Sequence, residues 1–182
     1  FDGSTSRQPT LDGILNIIGD LTFQTQGNRY ADAGGTGNSE FLINPNEGGI
    51  MGTGNIIKLG DGNLRFYSAL HEWSGDLDVR DGFVGLQMNS GALFNPNGVV
   101  YFGDPTLTQT STIQMRIENR FIGNNTTGLD SPNIDFTFNR DIIVRDNIKQ
   151  EVRIAAGYLP GSSMVHFTNP INVGTGSRNA VS

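Results

Sequence analysis

Asp76-x-Asp78-x-x-Asp81-Gly82 is the nearest this sequence comes to a metal-ligand set. Hard cations take several oxygen ligands held close together. An EF-type loop needs an oxygen donor where Arg80 stands, and it ends on a glutamate that is missing here. Alternation along a strand instead puts Asp76 and Asp78 on one wet face and leaves Asp81 to a turn, so no metal is assigned. His71-Glu72-Trp73 is the one place where an imidazole, a carboxylate and an indole meet. In a strand, His71 and Trp73 share a side and Glu72 takes the other. An aromatic ring so placed, with Tyr67 just before it, offers a stacking face to a sugar or an anchor to a core or interface. His71, Trp73 and Tyr67 are therefore the candidate glycan or interface contacts.

Other chemistry finds little support. His166 has no second histidine two or four residues away, and the chain holds only two histidines to serve as bases. There is no Gly-x-Ser-x-Gly elbow, and no Gly-Lys-Ser/Thr follows the glycine-rich stretches. Eighteen acidic residues always permit a glycosidase-type carboxylate pair in space, but no spacing singles one out. No catalytic residue and no cofactor is assigned, and a non-enzymatic role is preferred.

The elements that must position these residues are announced by glycine. The chain has 25 glycines in 182 residues, about twice the ~7% average. Asparagine often sits beside them, and both residues tolerate positive φ, so the composition describes many tight turns. Apolar residues make up 36% of the chain, too many for a disordered linker. Period-2 alternation recurs between the turns. Ile113, Met115 and Ile117 oppose Gln114, Arg116 and Glu118; Ile134, Phe136 and Phe138 oppose Asp135 and Thr137. The segment 141–157 carries Val144, Ile148 and Val152 at helical spacing, but its β-branched content favours strand. The expectation is an all-β fold of repetitive short strands: a β-prism, a β-helix or an interleaved trimeric fibre, elongated.

Regularity is greatest between residues 75 and 104. Gly75, Gly82, Gly91 and Gly98 fall at steps of seven, nine and seven, each followed by a short apolar run. Asn95-Pro96-Asn97-Gly98 has the layout of a type I turn, and Asp61-Gly62 and Asp81-Gly82 are hairpin-turn dipeptides. Gly75, Gly82, Gly91, Pro96 and Gly98 are thus read as structural turns, each strand being a rung or a hairpin arm. Looser repeats accompany them: GDLTF at 19–23, GNLRF at 62–66 and GDLDV at 75–79, and an Asn-Pro turn in FLINPNEGG (41–49), LFNPNG (93–98) and FTNPINVG (167–174). The stretches ADAGGTGNSE (31–40) and GNNTTGLDSPN (123–133) read as exposed loops. The second marks a boundary between a Gly/Asn-rich module at 1–122 and another β module at 123–182.

Net charge is −6 with no basic stripe, which disfavours nucleic acid. No apolar run approaches the ~20 residues of a membrane-spanning helix, so membrane insertion is not expected. Cysteine is absent, which excludes disulfides and thiolate metal sites. A first residue of Phe1 and an abrupt end at Ser182 read as a processed chain or a fragment.

LDGILNIIGDLTFQTQGN and GNLRFYSALHEWSGDLDVRDGFVGLQMNSG resemble the shaft modules of bacteriophage tail fibres and tailspikes over about residues 11–104. The resemblance implies intertwined homotrimers and a virion location, with the chain as a rigid, adhesive element touching other virion proteins or a cell-surface glycan. It carries no catalytic residues to transfer. Short strands bury little area per chain, so identical copies are expected to complete the core, most simply as a trimer. Alternatives are a virion decoration or minor capsid protein, a polysaccharide depolymerase, and a bacterial surface adhesin on a β-solenoid at the cell surface.

Overall fold

The computed structural model describes residues 10–11, 13–26, 40–43, 49–66, 72–88, 95–119, 135–157, 164–174 and 179–181. All of its regular elements are strands. In chain order they are β1 (Thr10–Leu11), β2 (Leu15–Ile17), β3 (Leu21–Gln24), β4 (Glu40–Ile43), β5 (Ile50–Gly52) and β6 (Ile56–Leu59). Next come β7 (Asn63–Phe66), β8 (Glu72–Trp73), β9 (Leu77–Val79), β10 (Phe83–Met88), β11 (Val99–Phe102) and β12 (Thr112–Asn119). The last six are β13 (Phe136–Phe138), β14 (Asp141–Val144), β15 (Glu151–Gly157), β16 (Val165–Phe167), β17 (Ile171–Val173) and β18 (Asn179–Val181). The fold is all-β. The segment that carries helical spacing is two strands, β14 and β15, joined by a turn in which Asn147 takes φ 59°.

The strands fall into sheets that the chain visits in rotation. One sheet has seven strands in the order β1-β4-β7-β10-β12-β15-β18, and another has six in the order β3-β6-β9-β11-β14-β17. Between them in the rotation come the three-stranded sheet β2-β5-β8 and, later, the pair β13-β16. Every pairing is parallel, and the seven- and six-stranded sheets each grow by one strand per circuit. Circuits differ in length: Ile56 pairs with Leu77 and Leu77 with Val100, while Val100 pairs with Ile142.

This connectivity changes three expectations. The Asp-Gly dipeptides do not close hairpins: Asp61-Gly62 links β6 to β7 and Asp81-Gly82 links β9 to β10, strands of different sheets. The left-handed conformation that suits glycine to a hairpin turn serves the sheet-to-sheet corner equally well, and Gly82 has φ 78°. The even steps of seven and nine are not the repeat either, because Gly75 and Gly98 stack in one corner and Gly82 lies in another. Thirdly, the sheets run across residue 122: β12 pairs with β15 and β11 with β14, so strands on both sides of the expected boundary share sheets.

Period-2 burial builds the interior. Inward residues stack in register from circuit to circuit: Leu64 beside Val84 beside Met115, and Leu77 beside Val100 beside Ile142, all without exposed area. Phe136 and Phe138 are buried while Asp135 is exposed, following the alternation. One hydrophobic cluster joins residues of all the sheets, from Ile17 to Ile154. Each fully buried large side chain contributes about 1.5–3 kcal/mol. Among the described residues, one copy buries these side chains against one another.

Candidate functional site

The side chains with chemistry gather at two corners of this frame, the one that leads into the six-stranded sheet and the one that leads out of it. Gly19-Asp20, Gly54-Asn55 and Gly75-Asp76 turn into β3, β6 and β9. Gly98 turns into β11 and Arg140 into β14. Successive glycines lie almost in contact: a Cβ on Gly54 would stand under 3 Å from Gly19 O, one on Gly75 under 3 Å from Gly54 O, and one on Gly98 2.6 Å from Gly75 O. Only glycine lets these backbones approach so closely. Beside that column runs a polar ladder. Asn55 Nδ2 donates to Asp20 Oδ1 (2.8 Å), the Asp76 amide to Asn55 Oδ1 (3.0 Å), and the Val99 amide to Asp76 Oδ1 (2.8 Å). The GDLTF and GDLDV repeats hold the same place in the first and third circuits, whereas GNLRF lies at the other corner.

Arg140 stands where the four preceding circuits have glycine, and its side chain runs back along the stack. Its Nε donates to Asn95 O (2.8 Å), its Nη1 to Gly75 O (2.7 Å) and its Nη2 to Trp73 O, with the guanidinium 4.6 Å from the Trp73 ring centre. Trp73 Nε1 in turn donates to Gly54 O at 2.7 Å. Burial pushes the Arg140 guanidinium down to about 10, with the Asp76 carboxylate acting in the opposite direction, so it is charged at neutral pH. A Cβ on Gly98 would lie 3.1 Å from Arg140 Cζ, so that glycine makes room for the guanidinium as well as for the backbone.

At the exit corner, Lys58 points inward in register with Phe23 and Val79 and has no exposed area. Its ammonium donates to Leu59 O (3.0 Å), Gly60 O (2.6 Å) and Asp81 O (3.0 Å), which uses all three donors. Outside, Asp78 bridges Arg80 (2.9 Å) and Arg145, and Arg145 lies 5.1 Å from the Tyr101 ring centre. The hydrogen bond to Asp78 raises the Arg80 guanidinium, against an opposing effect of burial. Gln150 accepts from the Asp104 amide (2.8 Å) and donates to Arg80 O (2.7 Å). Burial acts to raise the Asp104 carboxyl, but the side-chain and backbone donors of Thr106, with Arg80 and Arg145, outweigh it and hold the group below its ordinary value.

Outside the seven-stranded sheet, Arg65 and Arg116 lie 5.4 and 5.5 Å from the Phe83 ring centre, and the ring fills the space left over Gly85. Arg65, Gly85 and Arg116 are neighbours in register.

Of the expected contacts, Trp73 has no exposed area, so its ring has no face for a sugar and serves the interior. Tyr67, His71 and Gly91 lie outside the described residues, as do both expected loops apart from Glu40. Pro96 is exposed in a turn closed by the Asn97 amide donating to Asn95 Oδ1 (3.0 Å). His166 is half-exposed, 3.9 Å from Asp135. Among the described residues no three acidic, histidine or cysteine side chains converge on a metal position. Spacing along the chain passes over Lys58, Arg140 and Arg145, whose partners lie up to 67 residues away. One signal was present: Arg140-Asp141-Ile142 follows the pattern of Gly75-Asp76-Leu77, with arginine where glycine belongs. No protein-family model matches the chain, and neither a curated protein nor a solved structure is recognisably similar to it.

Proposed function

We propose that the chain is a structural and adhesive module of a virion fibre, a tail-fibre or tailspike segment built as a parallel β-solenoid. The observation that carries this reading is the uninterrupted in-register stack, with seven strands in one sheet and six in another. At about 4.8 Å per strand, seven strands advance the stack by about 29 Å. Arg140, Arg145 and Gln150 each tie the fifth circuit back to the third, which stiffens the stack against bending and sliding. The virion assignment draws on the Gly-Asp-Leu units, which take equivalent places in the first and third circuits.

A spacer and adhesive role is favoured over glycoside hydrolysis by the state of the Asp104 carboxyl. A general acid must hold its proton near neutral pH. Asp104, at the exit corner, is held below its ordinary value. The test is incubation of the purified chain with bacterial cells and with their isolated surface polysaccharide. Retention on the surface without release of reducing ends is expected. Release of reducing ends would replace the reading with a depolymerase, and absence of retention would remove the adhesive part.

A further inference from the structure

On the outer face of the seven-stranded sheet, two rows of side chains cross β7, β10 and β12. Asn63, Phe83 and Gln114 form the first row, and Arg65, Gly85 and Arg116 form the second. Both rows face away from the interior, because Leu64, Val84 and Met115 between them point into it. The first row is nevertheless closed off: Asn63 is 5% exposed, Phe83 6% and Gln114 5%. Among the described residues, neither Asn63 Oδ1 nor Gln114 Oε1 meets a hydrogen-bond donor. A buried oxygen without a donor has lost its water and gained nothing in exchange. Here two such oxygens stand in one row, on either side of the same ring.

The pattern is doubled about β10. Asn63-x-Arg65 stands on one side of Phe83 and Gln114-x-Arg116 on the other, so each of these amides has an arginine two residues along its own strand. Both guanidiniums lie against the Phe83 ring, 5.4 and 5.5 Å from its centre, and both arginines are half-buried. From β7 to β12 neither row contains an acidic residue, in a chain whose net charge is −6.

We propose that these two rows are a binding site for an acidic saccharide, whose hydroxyls donate to Asn63 Oδ1 and Gln114 Oε1 and whose carboxylates pair with Arg65 and Arg116. This rests on the adhesive reading above and names its ligand class. The two kinds of group select the ligand together. Amide oxygens need donors, which a sugar hydroxyl supplies and a simple anion does not. Guanidiniums pair in bidentate fashion with a carboxylate, which a neutral sugar lacks. Asn63 and Gln114 lie two strand steps apart, about 9.6 Å between backbones, so a saccharide chain lying across the strands serves both. The guanidiniums already hold the Phe83 ring, so recognition is polar and does not use stacking. The ring and the Arg65 stem, which lie close over Gly85, move aside to admit the ligand.

Titration calorimetry tests this on the 182-residue chain, with oligomers of galacturonate, glucuronate and sialate and with neutral oligogalactose of the same length. At least one acidic oligomer should bind at least tenfold more tightly than the neutral one. Gln114→Met and Asn63→Leu replace the two amides with apolar groups of similar size. Each should keep or raise the thermal midpoint while weakening that binding at least tenfold. Arg116→Gln should reduce the preference for the acidic oligomer at least threefold. Binding of no acidic oligomer overturns the proposal. So does a Gln114→Met chain that binds unchanged, or one that unfolds at a markedly lower temperature, since its oxygen would then have a donor. Retention of Gln114→Met on bacterial cells equal to that of the unaltered chain also overturns it, while leaving the adhesive reading in place.

Discussion

Arg140 does at one position what glycines do elsewhere in its column: it lets the chain turn, and its side chain then occupies the space they leave. Replacing it with methionine takes donors from two buried carbonyls and one half-buried one, at about 1–3 kcal/mol for each buried group and not additively, while relieving the burial of a charge. The expected net loss for Arg140→Met is about 3 kcal/mol, read as a lower urea midpoint with unchanged slope. Arg140→Lys keeps the charge without the planar fork and should recover less than half of it. The glycines beneath are equally constrained. Gly75→Ala drives a methyl group into Gly54 O and should cost about 1–3 kcal/mol or more. Asp104 supplies a pH dependence. Its folded-state value is lowered, so its contribution is present above the ordinary 3.8 and is lost as pH falls through the lowered value. Asp104→Asn, which keeps an oxygen for Thr106, should flatten that part of the acid unfolding curve.

At the scale of elements, β14 is the strand on which the others are fastened. Arg140 precedes it, Arg145 follows it, and both reach two strands back, to the residues around and within β9. Asp78→Asn removes the charge that Arg145 and Arg80 share. It should speed amide exchange in β11 and β14 while leaving β3 and β6 unchanged, measured by hydrogen exchange. The strands themselves were legible in the sequence, because alternation such as Phe136-Thr137-Phe138 reports directly which side is buried. Their pairing was not. A hairpin and a sheet-to-sheet corner ask the same thing of Asp81-Gly82, a left-handed glycine, so turn chemistry alone does not distinguish antiparallel from parallel neighbours. The charged groups of the interior were hidden for a related reason: Lys58 sits at an inward position of an otherwise apolar strand, and its partners are backbone carbonyls, which leave no trace in residue type. Trp73 was legible as an anchor or a contact, and burial decides between the two.

At the scale of the whole molecule, the proposed solenoid is one arrangement: parallel strands that advance one strand per circuit around a shared core. From it follow the stacked glycines and the guanidinium ties. The most direct test uses the absence of native cysteine. Thr22 and Asn172 are exposed and lie in one outward column of the six-stranded sheet, through Ile57, Asp78, Tyr101 and Ile143. Five strand steps separate them, about 24 Å between backbones. Spin labels on Thr22→Cys and Asn172→Cys, measured by pulsed electron resonance in a dilute sample, should give one narrow distribution centred near that spacing plus the label tethers. A broad distribution, or a separation beyond about 40 Å, more than eight strand steps of the same spacing, would contradict the stack.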